Sequence, residues 1–146
     1  MSKLILRYKP DSSFFDPKLS RDDFGRLSVA VETDHFSGKG GFWVQWQDVS
    51  EFGEALRTFP IPEDKPIIMQ FGYDKQEGDD LILRFEIAPA DRRGNLAVLF
   101  EVADDYKPRD RVRGCFVTNY PDLDAFRIGI AQLMNNEAEE AILTGR

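Results

Sequence analysis

The residues Gly41-Phe42-Trp43-Val44-Gln45-Trp46-Gln47-Asp48-Val49-Ser50-Glu51-Phe52-Gly53-Glu54-Ala55-Leu56 have a counterpart at Gly114-Cys115-Phe116-Val117-Thr118-Asn119-Tyr120-Pro121-Asp122-Leu123-Asp124-Ala125-Phe126-Arg127-Ile128-Gly129-Ile130. Allowing one inserted residue, each copy is a glycine, a short apolar-aromatic run, then Asp-apolar-x-x-Phe. Val44 answers to Val117, Asp48 to Asp122, Val49 to Leu123, Phe52 to Phe126 and Leu56 to Ile130. The first part of each copy has the period of a strand, and the apolar residues after the aspartate fall at helical spacing. Asp48 is placed to cap the first helix, with Glu51 three residues on in a capping-box pattern. Pro121 falls in the first turn of the second helix, where its missing N–H leaves no bond unmade. Each copy therefore predicts a strand running into a helix, pinned to a shared sheet by Phe52 or Phe126.

On the N-terminal side, Leu4, Leu6 and Tyr8 alternate with Ile5, Arg7 and Lys9, and Leu27, Val29, Val31 and Thr33 repeat that alternation. Between these strands, residues 10–26 lack a period but carry Phe14, Phe15, Leu19 and Phe24. So long a segment either folds back onto the core or covers a partner or ligand surface. Residues 34–41 read as a glycine-rich hairpin loop. Val49, Phe52, Leu56 and Phe59 form one helical stripe, which Pro60-Ile61-Pro62 ends. Further strands are expected near 67–73, 81–88, 96–103 and 111–118, with turns at 75–80, 91–95 and 104–110. In the central pair, Leu81, Leu83, Phe85 and Ile87 face Leu96, Val98, Phe100 and Val102 in the core. The intervals are mostly too short for parallel crossovers. The expectation is an α+β fold: a mainly antiparallel sheet of about six to seven strands with two helices packed on one face.

With 146 residues the chain is long enough for one domain over 1–146. The net charge of −7 argues against nucleic acid as a primary ligand and favours cationic partners. No apolar run approaches the ~20 residues of a membrane-spanning helix. The N-terminal run lacks a signal-peptide pattern, and the single cysteine permits no internal disulfide; a cytoplasmic location is expected.

Catalytic and metal motifs are hard to build. His35 is the only histidine and has no second ligand at zinc spacing. Cys115 is expected to be a buried structural thiol. Gly38-Lys39-Gly40-Gly41 precedes a strand, not a helix, and lacks the Ser or Thr of a phosphate loop. The run from Asp74 to Asp80 lacks the ligand order of an EF-hand. Arg109, Arg111 and Arg113 share one strand face, where pairing with Glu101 accounts for them. No metal or cofactor is implied.

One charged constellation follows from topology. Alternate turns of a meander lie at the same end of the sheet, so the 75–80 and 104–110 turns share a pole. The second helix should run back towards it. The expected partner surface is therefore Asp74, Glu77, Asp79, Asp80, Asp104, Asp105, Glu137, Glu139 and Glu140.

With the repeated units laid out, the chain resembles the small WapI-like immunity proteins and related bacterial domains that accompany polymorphic secreted toxins. The resemblance is carried by Gly41-Phe42-Trp43-Val44 through Asp48-Val49-Ser50-Glu51-Phe52 and by the strands Leu81–Ile87 and Leu96–Val102. Phe116-Val117-Thr118-Asn119 through Asp122-Leu123-Asp124-Ala125-Phe126 complete it, over about residues 27 to 135. It implies a cytoplasmic, non-catalytic immunity protein that neutralises a cognate toxin, often a nuclease with a basic surface. Two other readings stay open. One is a carboxylate-based enzyme or small-ligand binder. The other is a homodimeric module, for which Trp43, opposite Phe42 and Val44, is the residue to inspect.

Overall fold

The computed structural model describes residues 1–11 and 24–146. Phe14, Phe15 and Leu19, which carried the two readings of the long 10–26 segment, lie outside the described residues. The elements run β1 (Ser2–Pro10), β2 (Phe24–Glu32), β3 (Ser37–Gln45), α1 (Trp46–Ala55), β4 (Ile67–Gly72) and β5 (Leu81–Pro89). They continue as β6 (Asn95–Ala103), β7 (Arg111–Asn119), α2 (Tyr120–Met134) and β8 (Ala141–Gly145).

The fold is α+β, but the expected single sheet of six to seven strands is two antiparallel sheets of four, ordered β3-β2-β1-β8 and β4-β5-β6-β7. No pairing of β3 with β4 among the described residues joins the first three strands to the meander, and their sheet is completed by β8. Its five residues pair with β1 from Ser2↔Gly145 to Leu6↔Ala141, completing a sheet separate from the meander. So short a strand, directly after three glutamates, carries too little period-2 signal to be read. The sheets touch at two corners. Val112 of β7 lies under Gly38 of β3, while Val117 and Arg146 exchange two backbone hydrogen bonds of 2.9 Å. From Val112 to Val117, β7 thus passes from one edge of the first sheet to the other, the relation of orthogonally packed sheets.

The inner faces meet in one core. Leu4, Leu6 and Leu27 from the first sheet, and Leu83, Phe85 and Val98 from the second, are fully buried. The helices close the open end of this core and run antiparallel to each other. Trp46 Nε1 at the start of α1 donates to the Met134 carbonyl at the end of α2 (3.3 Å), and Gly53 lies against Ile130. Phe52, Leu56, Phe126 and Ile130 are all buried, as the repeated pattern predicts.

Four local expectations are corrected. The hairpin loop shrinks to Thr33–Phe36, because β3 already begins at Ser37 and Gly38, Gly40 and Gly41 belong to the strand. A Cβ on Gly40 would sit 2.2 Å from the Ala103 carbonyl oxygen, so a residue without a side chain is what lets the second sheet approach. Asp48 is not the cap of α1. The helix begins at Trp46, its N-cap Gln45 makes no side-chain cap bond, and Asp48 lies in the first turn. Asp122 occupies the same turn of α2, so the two copies remain in register; there Asn119 is the cap, accepting from the Asp122 N–H at 2.8 Å. Phe59 leaves its stripe and is 75% exposed, its ring edge-on to Tyr120. Cys115 is exposed, because it shares the solvent face of the second sheet with Leu99, its partner across β6–β7.

Candidate functional site

The two acidic turns of the meander do come together. Tyr73, at the end of β4, donates its hydroxyl to the Asp105 carbonyl in the β6–β7 turn (3.2 Å). Asp79 of the β4–β5 turn lies 4.0 Å from Arg109 and 3.9 Å from Arg111. Arg111 is itself fixed by Glu101 and by the Pro108 carbonyl. The Asp104 carboxylate accepts from the Tyr106 N–H at 2.8 Å, which shapes the turn from within.

The anchor of this pole is Asp105, buried with 7% of its side chain exposed and forked onto Arg26 of β2 at 2.6 and 2.9 Å. The Arg26 guanidinium lies over Gly41, where a Cβ would stand 3.0 Å from Nη2. Hydrogen bonding to Arg26 holds the Asp105 carboxyl below the usual carboxylate range, against the opposing effect of burial; the same bond raises Arg26. The next residue, Tyr106, is 83% exposed. The pole is thus a rigid pair of turns carrying one projecting aromatic. Asp74, Glu77 and Asp80 lie in the β4–β5 turn and make no ion pair among the described residues.

The third acidic group lies elsewhere. Glu137, Glu139 and Glu140 follow α2, and Glu140 pairs with Arg7 of β1 at 2.8 Å beside the β8 edge. Asp105 reaches Arg26 over the β3 edge. Arg7 and Arg26 stand on adjacent strands, two residues apart in register, and line one groove with Asp104, Asp105 and Tyr106. Glu140 thus meets the turns only through Arg7 at that groove, and no ion pair joins Glu137 or Glu139 to them among the described residues.

The remaining singled-out residues separate. His35 is exposed in the β2–β3 turn, and among the described residues no group of three or more His, Cys, Asp or Glu is placed to hold a metal ion. Of the arginine stripe, Arg111 pairs with Glu101 as expected and Arg109 lies near Asp79, while Arg84 on the neighbouring β5 bonds to Gln70 and Glu86. Trp43 is half-exposed on the outer side of the first sheet, opposite Arg26. Sequence reasoning passed over Tyr73, Tyr106 and Arg26. For Tyr106 a signal existed: it is the aromatic within Asp104-Asp105-Tyr106-Lys107, a turn otherwise charged. Compared with protein-family models, curated proteins and solved structures, the chain matches none.

Proposed function

We propose that the chain is a non-catalytic binding module of the immunity type, which neutralises a toxic protein by covering a cationic surface of it. The observation that carries this reading is Tyr106. It is an almost fully exposed aromatic whose turn is locked from below by the buried Arg26–Asp105 pair and from the side by Tyr73. Binding energy concentrates in such anchored aromatics, and a surface ordered before contact loses less entropy when a partner arrives. The turn of Tyr106 also carries Asp104, and the β4–β5 turn that meets it carries Asp74, Glu77 and Asp80, which make no ion pair among the described residues and would steer a basic partner. A surface that recognises nucleic-acid phosphates is such a partner, and an acidic inhibitor placed over it competes for the same contacts. A protein doing this works where its target would do harm, which agrees with the cytoplasmic expectation.

The test is growth. The product of the reading frame beside this one should be toxic when expressed alone and harmless when co-expressed with the intact chain. Tyr106→Ala should lose most of that protection while melting like the wild type. An adjacent product that is harmless, or that forms no complex with the chain, overturns the reading.

A further inference from the structure

β7 is an edge strand of the second sheet, and part of its rim is open. Val117 uses both its backbone groups on Arg146, at 2.9 Å each, so its N–H and C=O point away from β6. Backbone groups alternate in direction along an antiparallel strand, so those of Cys115 and Arg113 point the same way as those of Val117. The ladder to β6 is left to Thr118, Phe116 and Gly114, opposite Leu96, Val98 and Phe100. On the rim, neither Cys115 nor Arg113 finds a backbone partner among the described residues, and both are exposed. Their side chains share the solvent face. Arg113 makes no ion pair among the described residues, because Glu101, opposite it in β6, is held by Arg111. Cys115 stands opposite Leu99, which is 40% exposed, at an open groove of about 560 Å³.

We propose that β7 takes up an extended segment of a partner protein as an added antiparallel strand, with an apolar residue opposite Cys115 and an acidic residue opposite Arg113. At these positions each residue of the segment exchanges both its N–H and its C=O with β7, and those bonds supply the affinity. The antiparallel direction puts the apolar residue first, so the segment reads apolar-x-acidic. Its apolar side chain rests against Leu99, and its carboxylate meets the free guanidinium of Arg113. Because Arg146 already holds Val117, the segment joins β7 at Cys115 and no further along. The same contact disfavours a second copy of the chain. A twofold pairing centred on Gly114 is confined to 113–115 before it meets Val117. One centred on Arg113 sets two guanidinium groups against each other, which is how a charged edge resists pairing with itself. Of this strand only Arg111 touches the acidic turns, through Asp79. Arg113 and Cys115 lie about 7 and about 14 Å beyond it, so this site is independent of the surface proposed above.

The test begins with a displayed library of random ~10-residue peptides selected on the full chain, and the enriched peptides should share the order apolar-x-acidic. In a synthetic peptide of that sequence, N-methylation of the apolar or the acidic residue removes an N–H that donates to β7 and should raise Kd about tenfold. N-methylation of the residue between them, whose N–H points away, should change Kd less than about twofold. Arg113→Glu should weaken binding about fivefold and favour the peptide with Lys in place of its acid. Cys115→Pro should abolish binding while melting like the wild type, since proline is tolerated on an edge strand where the N–H faces outward. Bound peptide should also slow alkylation of Cys115, the single thiol of the chain. Glu77→Lys with Asp80→Lys, which tests the acidic turns, should leave the peptide bound as before. A selection that enriches no such order would overturn the proposal, as would equal effects of N-methylation at all three positions. A concentration-dependent dimer that protects Cys115 would overturn it too, assigning the edge to a second copy of the chain.

Discussion

Asp105 shows how one side chain can decide whether a turn is a loose loop or a platform. Its carboxylate is buried against Arg26, and its ordinary pKa of about 3.9 is lowered by that bond. A carboxyl depressed in the folded state contributes stability above its unfolded pKa and loses that contribution as pH falls through its folded value. Asp105→Asn should therefore cost about 2 kcal/mol at neutral pH, less than for a fully buried pair because Arg26 is partly exposed. Urea unfolding should show the gap between variant and wild type closing below about pH 4; a gap independent of pH would mean the ion pair is not its source. Gly40 makes the complementary point. Gly40→Ala drives a methyl into the Ala103 carbonyl and should destabilise the protein by about 1–3 kcal/mol in the same measurement. Neither role was legible beforehand. Asp105 read as one acid among many, and the glycine run read as a loop because a glycine needed for close approach looks the same as one needed for a turn.

At the scale of elements, the doubled strand-to-helix unit was the most legible part of the chain. Its apolar positions, Val49, Phe52, Leu56 and Leu123, Phe126, Ile130, are all buried. Pattern alone located both helices because burial repeats over several turns. The cap was misplaced because it rests on a single residue, and Asp48 resembles a cap while standing inside the first turn. The two helix starts are consequently unequal. Asn119→Ala removes a real cap bond from α2 and should cost about 1 kcal/mol, whereas Gln45→Asp supplies a missing one to α1 and should add about 0.5–1 kcal/mol. Thermal melts of both variants check this, and equal effects of one sign would contradict it. The weakest sequence signal belonged to β8. Yet it fills the edge of β1 and adjoins β7 through the Val117–Arg146 pair, so cutting the chain after Glu140 should abolish cooperative unfolding.

Across the whole molecule, the first three strands stay apart from the meander because β3 pairs with β2 alone among the described strands, and β8 completes their sheet. Four meander strands could be read one by one from alternation, but alternation does not state which sheet a strand joins. The acidic surface was consequently half legible. The 75–80 and 104–110 turns meet, as the up-and-down path of a meander requires, whereas of the three glutamates after α2 only Glu140 comes near them, through Arg7 of β1. The turn pole carries Asp74, Glu77 and Asp80, which make no ion pair among the described residues. The measurement that bears most directly on binding through the turn pole is the association rate with the protein encoded beside the chain, between about 20 and 200 mM salt. The wild-type rate should fall about tenfold or more over that range, and Glu77→Lys with Asp80→Lys should slow it about as much at low salt and flatten the salt dependence. Rates and salt slopes indifferent to both substitutions would contradict a turn pole that receives a cationic partner.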